Sequence, residues 1–260
     1  MHMKASTATA ALLPALLLAA VGCSSTHTPA PGKSPDQKGS ASAPGHTAAA
    51  DSSGAAGSTG ATGSSAAPKR AGTRLERSAL EQGDLPGYQI SANGKNPNAP
   101  DGQPQSDRKA CQPLADIMGD KPDPAARETV NRGVGSQKQM GLAISASVSS
   151  YAESDAKALI SRLRDAVAAC GTGFTATVEK QSGSYRDVKA ADYKTDGDES
   201  VSWTTSASAE GAAAQVHVVV VRQGDSVVRL MALNVTGGRQ TPQVPHEVTD
   251  KQLQKVRAAR

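Results

Sequence analysis

The stretch that decides the fold is Val216-His217-Val218-Val219-Val220-Val221-Arg222-Gln223-Gly224-Asp225-Ser226-Val227-Val228-Arg229-Leu230-Met231-Ala232-Leu233-Asn234-Val235. Two runs of β-branched and aliphatic residues, 216–222 and 226–235, flank the turn residues Gln223-Gly224-Asp225. That pattern predicts a hairpin. The run 218–221 is apolar without alternation, as expected of a central strand.

Outward from the hairpin, two periods alternate. Met140, Leu142, Ile144, Ala146 and Val148 recur at every second position and predict a half-buried strand. Ala156, Leu159, Ile160, Leu163, Ala166, Val167 and Cys170 recur at steps of three and four, on one face of a helix capped by Ser154 or Glu153 and stopped by Gly171. Shorter runs at 174–178 and 201–206 read as strands, the second carrying Trp203. The segment 110–118 reads as a short helix with Leu114, Ile117 and Met118 on its apolar side, since Pro113 is tolerated in a first turn. A helix at 75–80, a Gly-Asp-Leu-Pro-Gly turn at 83–87 and a strand from Tyr88 precede it, and 93–108 reads as a long loop. A last helix covers 248–257, with Leu253 and Val256 inward. The expected class is α+β: an antiparallel sheet of four to six strands with helices packed on one face.

The first 72 residues belong to a different kind of chain. Lys4 and the apolar run 10–21 form an export signal, and Ala20-Val21-Gly22-Cys23 matches the lipobox in which the cysteine becomes the acylated N-terminus. Cys23 is therefore the expected lipidation site, which places the protein on the extracytoplasmic face of the cell membrane, anchored by lipid. Residues 24–72 are 40 parts in 49 Ala, Gly, Ser, Thr or Pro, without one Leu, Ile, Val, Met or aromatic. Such a tract lacks the apolar surface to offset its ordering entropy and reads as a disordered tether. Residues 73–260 are left as a single globular, sensor-like domain.

Charge excludes one class of partner. The net charge of the chain is +4, but five of its 28 basic and two of its 24 acidic residues precede residue 73. The distal part is close to neutral with its signs interspersed, and lacks the basic footprint of a nucleic-acid binder. With Cys23 lipidated, Cys111 and Cys170 remain as an even pair in an exported protein, which reads as a disulfide.

Catalytic and metal signatures are missing. There is no Gly-x-Ser-x-Gly, His-Glu-x-x-His, phosphate loop or dinucleotide fingerprint. Gly224-Asp225-Ser226-Val227 looks like an esterase block but falls in the hairpin turn. Asp196-Gly197-Asp198-Glu199 lacks the ligand spacing of a calcium loop and reads as a solvated turn. His217 is expected on the outer face of its strand, and Asn234-Val235-Thr236 is a sequon by pattern alone. No catalytic residue, metal ligand or cofactor is assigned, and the ligand-binding residues are unknown at this point.

Several short motifs in order resemble the PknH-like extracellular (sensor) domain found in actinobacterial lipoproteins. They are Asp84-Leu85-Pro86-Gly87, Cys111 before a short helix, the strand into Ser149-Ser150-Tyr151, the amphipathic helix ending at Cys170, Gly197-Asp198-Glu199 before a strand, and Val221-Arg222-Gln223-Gly224. The resemblance implies an antiparallel sheet with helices and a cleft for an extracellular ligand. Members often carry two disulfides, whereas this chain has cysteines for one. The function expected is a non-catalytic, lipid-anchored binding domain for a small or cell-wall-derived ligand, with a pocket lined by the sheet and the 93–108 loop. The alternatives are a module docking onto an envelope protein through an exposed apolar patch, and a hydrolase with a Ser or Asp beside His217 or His246.

Overall fold

The computed structural model describes residues 72–93, 102–209, 211–236 and 241–260. Cys23, the signal, the tether up to residue 71 and residues 94–101 of the expected loop lie outside the described residues. Among the described residues, nine strands form one antiparallel sheet rather than four to six. They are β1 (Tyr88–Asn93), β2 (Gln105–Ser106), β3 (Glu128–Ser136), β4 (Leu142–Ser150), β5 (Phe174–Val178), β6 (Gln181–Ala190), β7 (Glu199–Ala209), β8 (Ala212–Gln223) and β9 (Ser226–Asn234). Their order is β1-β3-β4-β9-β8-β7-β6-β5-β2, so the hairpin strands β8 and β9 sit at the centre. Gln223 pairs with Ser226 across a two-residue turn whose first residue, Gly224, has φ +63°. A side chain is disfavoured there, which is why hairpins of this length use Gly.

The additional strands were hidden by their composition. β3 reads Glu-Thr-Val-Asn-Arg-Gly-Val-Gly-Ser and buries Val134, while β6 buries Val188. Both lie towards the flanks of the sheet, where one face remains partly in water and the period-2 signal fades. The 93–108 stretch contains the end of β1, the two residues of β2 and the approach to a 3-10 turn at Lys109–Cys111.

Helices cover both faces of the sheet, not one. On one face, α2 (Gln112–Met118) and α3 (Glu153–Ala169) pack on Val201, Trp203, Val216, Val218, Val220 and Val227. On the other, α1 (Arg74–Ser78) and α4 (His246–Ala258) pack over Val219, Val221, Val228, Leu230, Ile144 and Val148. The uninterrupted valine run is the cause. Successive residues of a strand point to opposite faces, so four consecutive buried valines require a cover on each side.

Local anchors set the helices. α3 buries the stripe expected of it, from Ala156 to Val167. Its N-cap is Ala152, which makes no side-chain bond, so neither Ser154 nor Glu153 caps it. Its C-terminal end is held by Arg108, which donates to the carbonyls of Ala169 at 3.0 Å and Gly173 at 2.7 Å. A guanidinium there satisfies orphan carbonyls and complements the helix dipole. Beside it Cys111 is bonded to Cys170, with Cα atoms 5.8 Å apart, which joins the start of α2 to the end of α3. On the opposite face the buried Gln252 of α4 donates to the Ser78 carbonyl at 2.6 Å and accepts from the Leu80 N–H at 3.3 Å, tying α4 to the end of α1.

Both sheet edges are plugged by glutamine. The Ile90 N–H of β1 donates to Gln82 Oε1 at 2.8 Å, and the Ser106 N–H of β2 donates to Gln112 Oε1 at 2.9 Å. Consuming outward backbone donors in this way protects an open sheet from edge-to-edge pairing.

The disulfide spans 59 residues of sequence. Loop-closure entropy for a ring of that size is worth roughly 4 kcal/mol at its upper end. Replacing both Cys111 and Cys170 by Ala is expected to lower the unfolding free energy by up to about that amount. Urea unfolding of the oxidised protein and the double variant measures it.

Candidate functional site

The site grows from the polar side of α2. Gln112 and Asp116 are four residues apart and therefore stand on one side of the helix. Pro113 occupies the first turn, where its missing N–H costs nothing. Leu114 and Ile117 turn into the core. This leaves Asp116 at the helix margin, 4% exposed. Its Oδ1 accepts from the Gln112 side-chain amide at 2.7 Å and from the Gln103 amide at 2.6 Å. Gln112 also donates to the Pro104 carbonyl at 2.6 Å, and Gln103 donates to the Lys121 carbonyl at 2.9 Å. The β2 segment is thus lashed to α2 through two amides and one carboxyl group.

A depression of about 430 Å³ opens between these elements. Gln103, Gln105, Gln112, Asp116, Pro122, Asp123 and Ala125 line it. Among the described residues lining it there is no basic side chain. Burial is the main force pushing the Asp116 carboxyl above its ordinary value, and the negative Asp123 nearby adds to it; the bonds from Gln112 and Gln103 pull the other way without cancelling it. Gln103 and Gln105, from the 93–108 stretch, are among its lining residues.

His217 does not lie on an outer face. It is 2% exposed, on the face covered by α4. The structure sets Ser202 Oγ 2.8 Å from His217 Nε2, the pairing a hydrolase reading requires. The hydrogen-bond directions oppose catalysis. His217 Nδ1 accepts from the Val244 N–H at 3.0 Å, and Ser202 Oγ donates to the Val218 carbonyl at 3.0 Å. The Nε2 proton therefore points at Ser202, so the imidazole has no free lone pair with which to take the hydroxyl proton. Burial, reinforced by His246, lowers the His217 pKa to about 4. His246 itself is exposed and stacks on the Tyr193 ring, with centroids 4.2 Å apart.

Two motifs far apart in sequence meet in one ion-pair cluster. Arg222, 6% exposed, donates from Nε to Glu199 at 2.6 Å and from Nη1 to Asp198 at 3.1 Å. Asp198 also accepts from Gln223 at 3.1 Å and from the Gly224 N–H at 2.7 Å. Gly197 is required at this junction, because a Cβ there would strike Val221 and press on the Arg222 carbonyl. The Asp198 and Glu199 carboxylates are thus engaged in holding the hairpin. Asp225 is bound to Arg74 at 2.8 Å, and Asn234 Oδ1 accepts from both the N–H and the hydroxyl of Thr236. These groups brace turns.

Neither a family model nor a curated protein matches the sequence. Solved structures do align with it. The extracellular domain of PknH from Mycobacterium tuberculosis aligns over 72% of this chain and 94% of its own, at 11% identity and a TM-score of 0.45. A putative uncharacterized protein from Mycobacterium smegmatis aligns over 67% of this chain and 90% of its own, at 10% identity and a TM-score of 0.37.

Sequence reading passed over Gln103, Gln112 and Asp116. The available signal was a polar pair at helical spacing beside the apolar stripe of α2, but nothing in the local sequence shows that Gln103 returns to meet it.

Two pH effects of opposite sign follow. The folded-state pKa of Asp116 lies above its unfolded value of 3.8, so its ionised form costs stability at neutral pH. Asp116→Asn is expected to raise the urea midpoint at pH 7, with the gain closing as pH falls through the Asp116 titration. His217 has a folded pKa of about 4 against 6.5 unfolded. Its stabilising contribution is complete above pH 6.5 and is lost as pH falls towards 4, on the order of 3 kcal/mol in all. That slope disappears in His217→Gln, as urea titrations at stepped pH values will read.

Proposed function

We propose that this protein is a non-catalytic binding domain, held on the extracytoplasmic face of the cell membrane by lipid on Cys23, that receives a small polar ligand in the Asp116 depression. The observation that carries the reading is Asp116 itself. A carboxyl group 4% exposed, held by two neutral amides and costing stability at neutral pH, lines an open depression. Proteins retain such costs where a group serves a ligand. The disulfide fits an oxidising compartment outside the cytoplasm, and Ala20-Val21-Gly22-Cys23 supports the anchor. The Ser202–His217 proton arrangement argues against a hydrolase.

A second reading, docking onto an envelope protein, draws on Met140 and Val235. These are 91% and 52% exposed and are brought together where the Val235 N–H donates to the Gly141 carbonyl at 2.9 Å.

The test is native mass spectrometry of the oxidised, anchor-free Cys23→Ser chain exported from its own host. The expected result is an adduct that vanishes on denaturation and is missing from Asp116→Ala. An apo mass together with crosslinks to an envelope protein at Met140 would transfer support to docking.

A further inference from the structure

The binding reading leaves the ligand's chemistry open, and the lining of the depression narrows it. Asp116 and Asp123 both border the depression, and the amides of Gln103, Gln105 and Gln112 supply the rest of its polar lining. Cations stand near it outside the lining: Arg162 of α3, which holds Asp123 at 2.9 Å, and Lys121, which precedes Pro122 and whose carbonyl accepts from Gln103. The Arg162–Asp123 pair is solvated, with side chains 50% and 73% exposed, so Asp123 is weakly committed to it. Asp116 is buried and has amides as partners instead of a cation. Anions are repelled by this arrangement, and a neutral ligand leaves the buried charge as uncomfortable as before. A cation relieves it, and a compact ammonium with three donors has enough of them to serve both lining carboxylates.

We infer that the depression beside α2 takes a ligand bearing a protonated primary amine, with Asp116 and Asp123 as its counter-ions. The inference rests on the reading of the depression as a binding site. Pro122 at the rim supplies apolar contact for the carbon stem of such a ligand. The group whose titration sets the pH response is Asp116 on α2; the charged groups around it are Asp123 on the facing turn, Arg162 on α3, which pairs with Asp123, and Lys121 next to Pro122. An ammonium favours ionised Asp116, so affinity declines as pH falls through the titration of that carboxyl group.

The experiment is an amide NMR titration of the oxidised, anchor-free chain with Nα-acetyl-lysine methylamide, run beside its neutral analogue Nα-acetyl-norleucine methylamide. Saturable shifts at Gln103, Gln112 and Asp116 are expected with the lysine probe alone. They weaken at least about tenfold in Asp116→Asn, the loss expected for one charge-assisted bond. Asp116→Asn is itself expected to be more stable than the parent, so weakened binding is not a folding failure. Equal shifts with both probes, or undiminished affinity in Asp116→Asn, would overturn the ammonium assignment and leave the depression as a binding site. Silence from both probes also overturns it; the broader binding reading then stands or falls on the native adduct and its dependence on Asp116.

Discussion

Burying one strand pair on both faces requires two separate covers: one is built from α2 and α3, midway along the described residues, and the other pairs α1 with α4, the first and last helices. Val218 and Val220 face α2 and α3, while Val219 and Val221 face α1 and α4. Each fully buried valine is worth roughly 1.5–3 kcal/mol relative to exposure. Removing either cover would return a row of these side chains to water. The disulfide and Arg108 hold one cover together, and Gln252 holds the other. The flanking strands then extend the sheet to each side of the hairpin until a glutamine closes each edge.

The candidate site grows directly out of edge closure. Gln112 has one amide to distribute, and it spends the oxygen on the Ser106 N–H and the nitrogen on Pro104 and Asp116. The residue that terminates the sheet therefore also positions the carboxyl group that lines the depression. A structural requirement and a recognition chemistry share one side chain, and the carboxyl group carries the energetic penalty.

Polar residues elsewhere serve the hairpin. Arg222 collects Asp198 and Glu199, and His217 satisfies Ser202 and the Val244 backbone. Each has the composition of a functional group and the surroundings of a structural one. The difference lies in lone pairs and protons already committed, which no residue list contains. The same accounting separates them from Asp116, whose partners are neutral and whose side chain borders open space.

The sequence by itself determined the elements whose periodicity was strong: the central hairpin, the α3 stripe, β4, β5 and the cysteine pair. In these cases burial is imprinted residue by residue, because each turn or pleat repeats the same environment. It also determined the α+β class. Tertiary structure alone decided that the sheet has nine strands and covers on both faces, because β3 and β6 each bury little and give no clear alternation. It alone decided the fate of His217, whose burial depends on α4 arriving from the C-terminus. It alone assembled Gln103 with Gln112 and Asp116. That contact joins a strand edge to a helix flank, and hydrogen-bond geometry between separate elements is set by packing, not by local sequence.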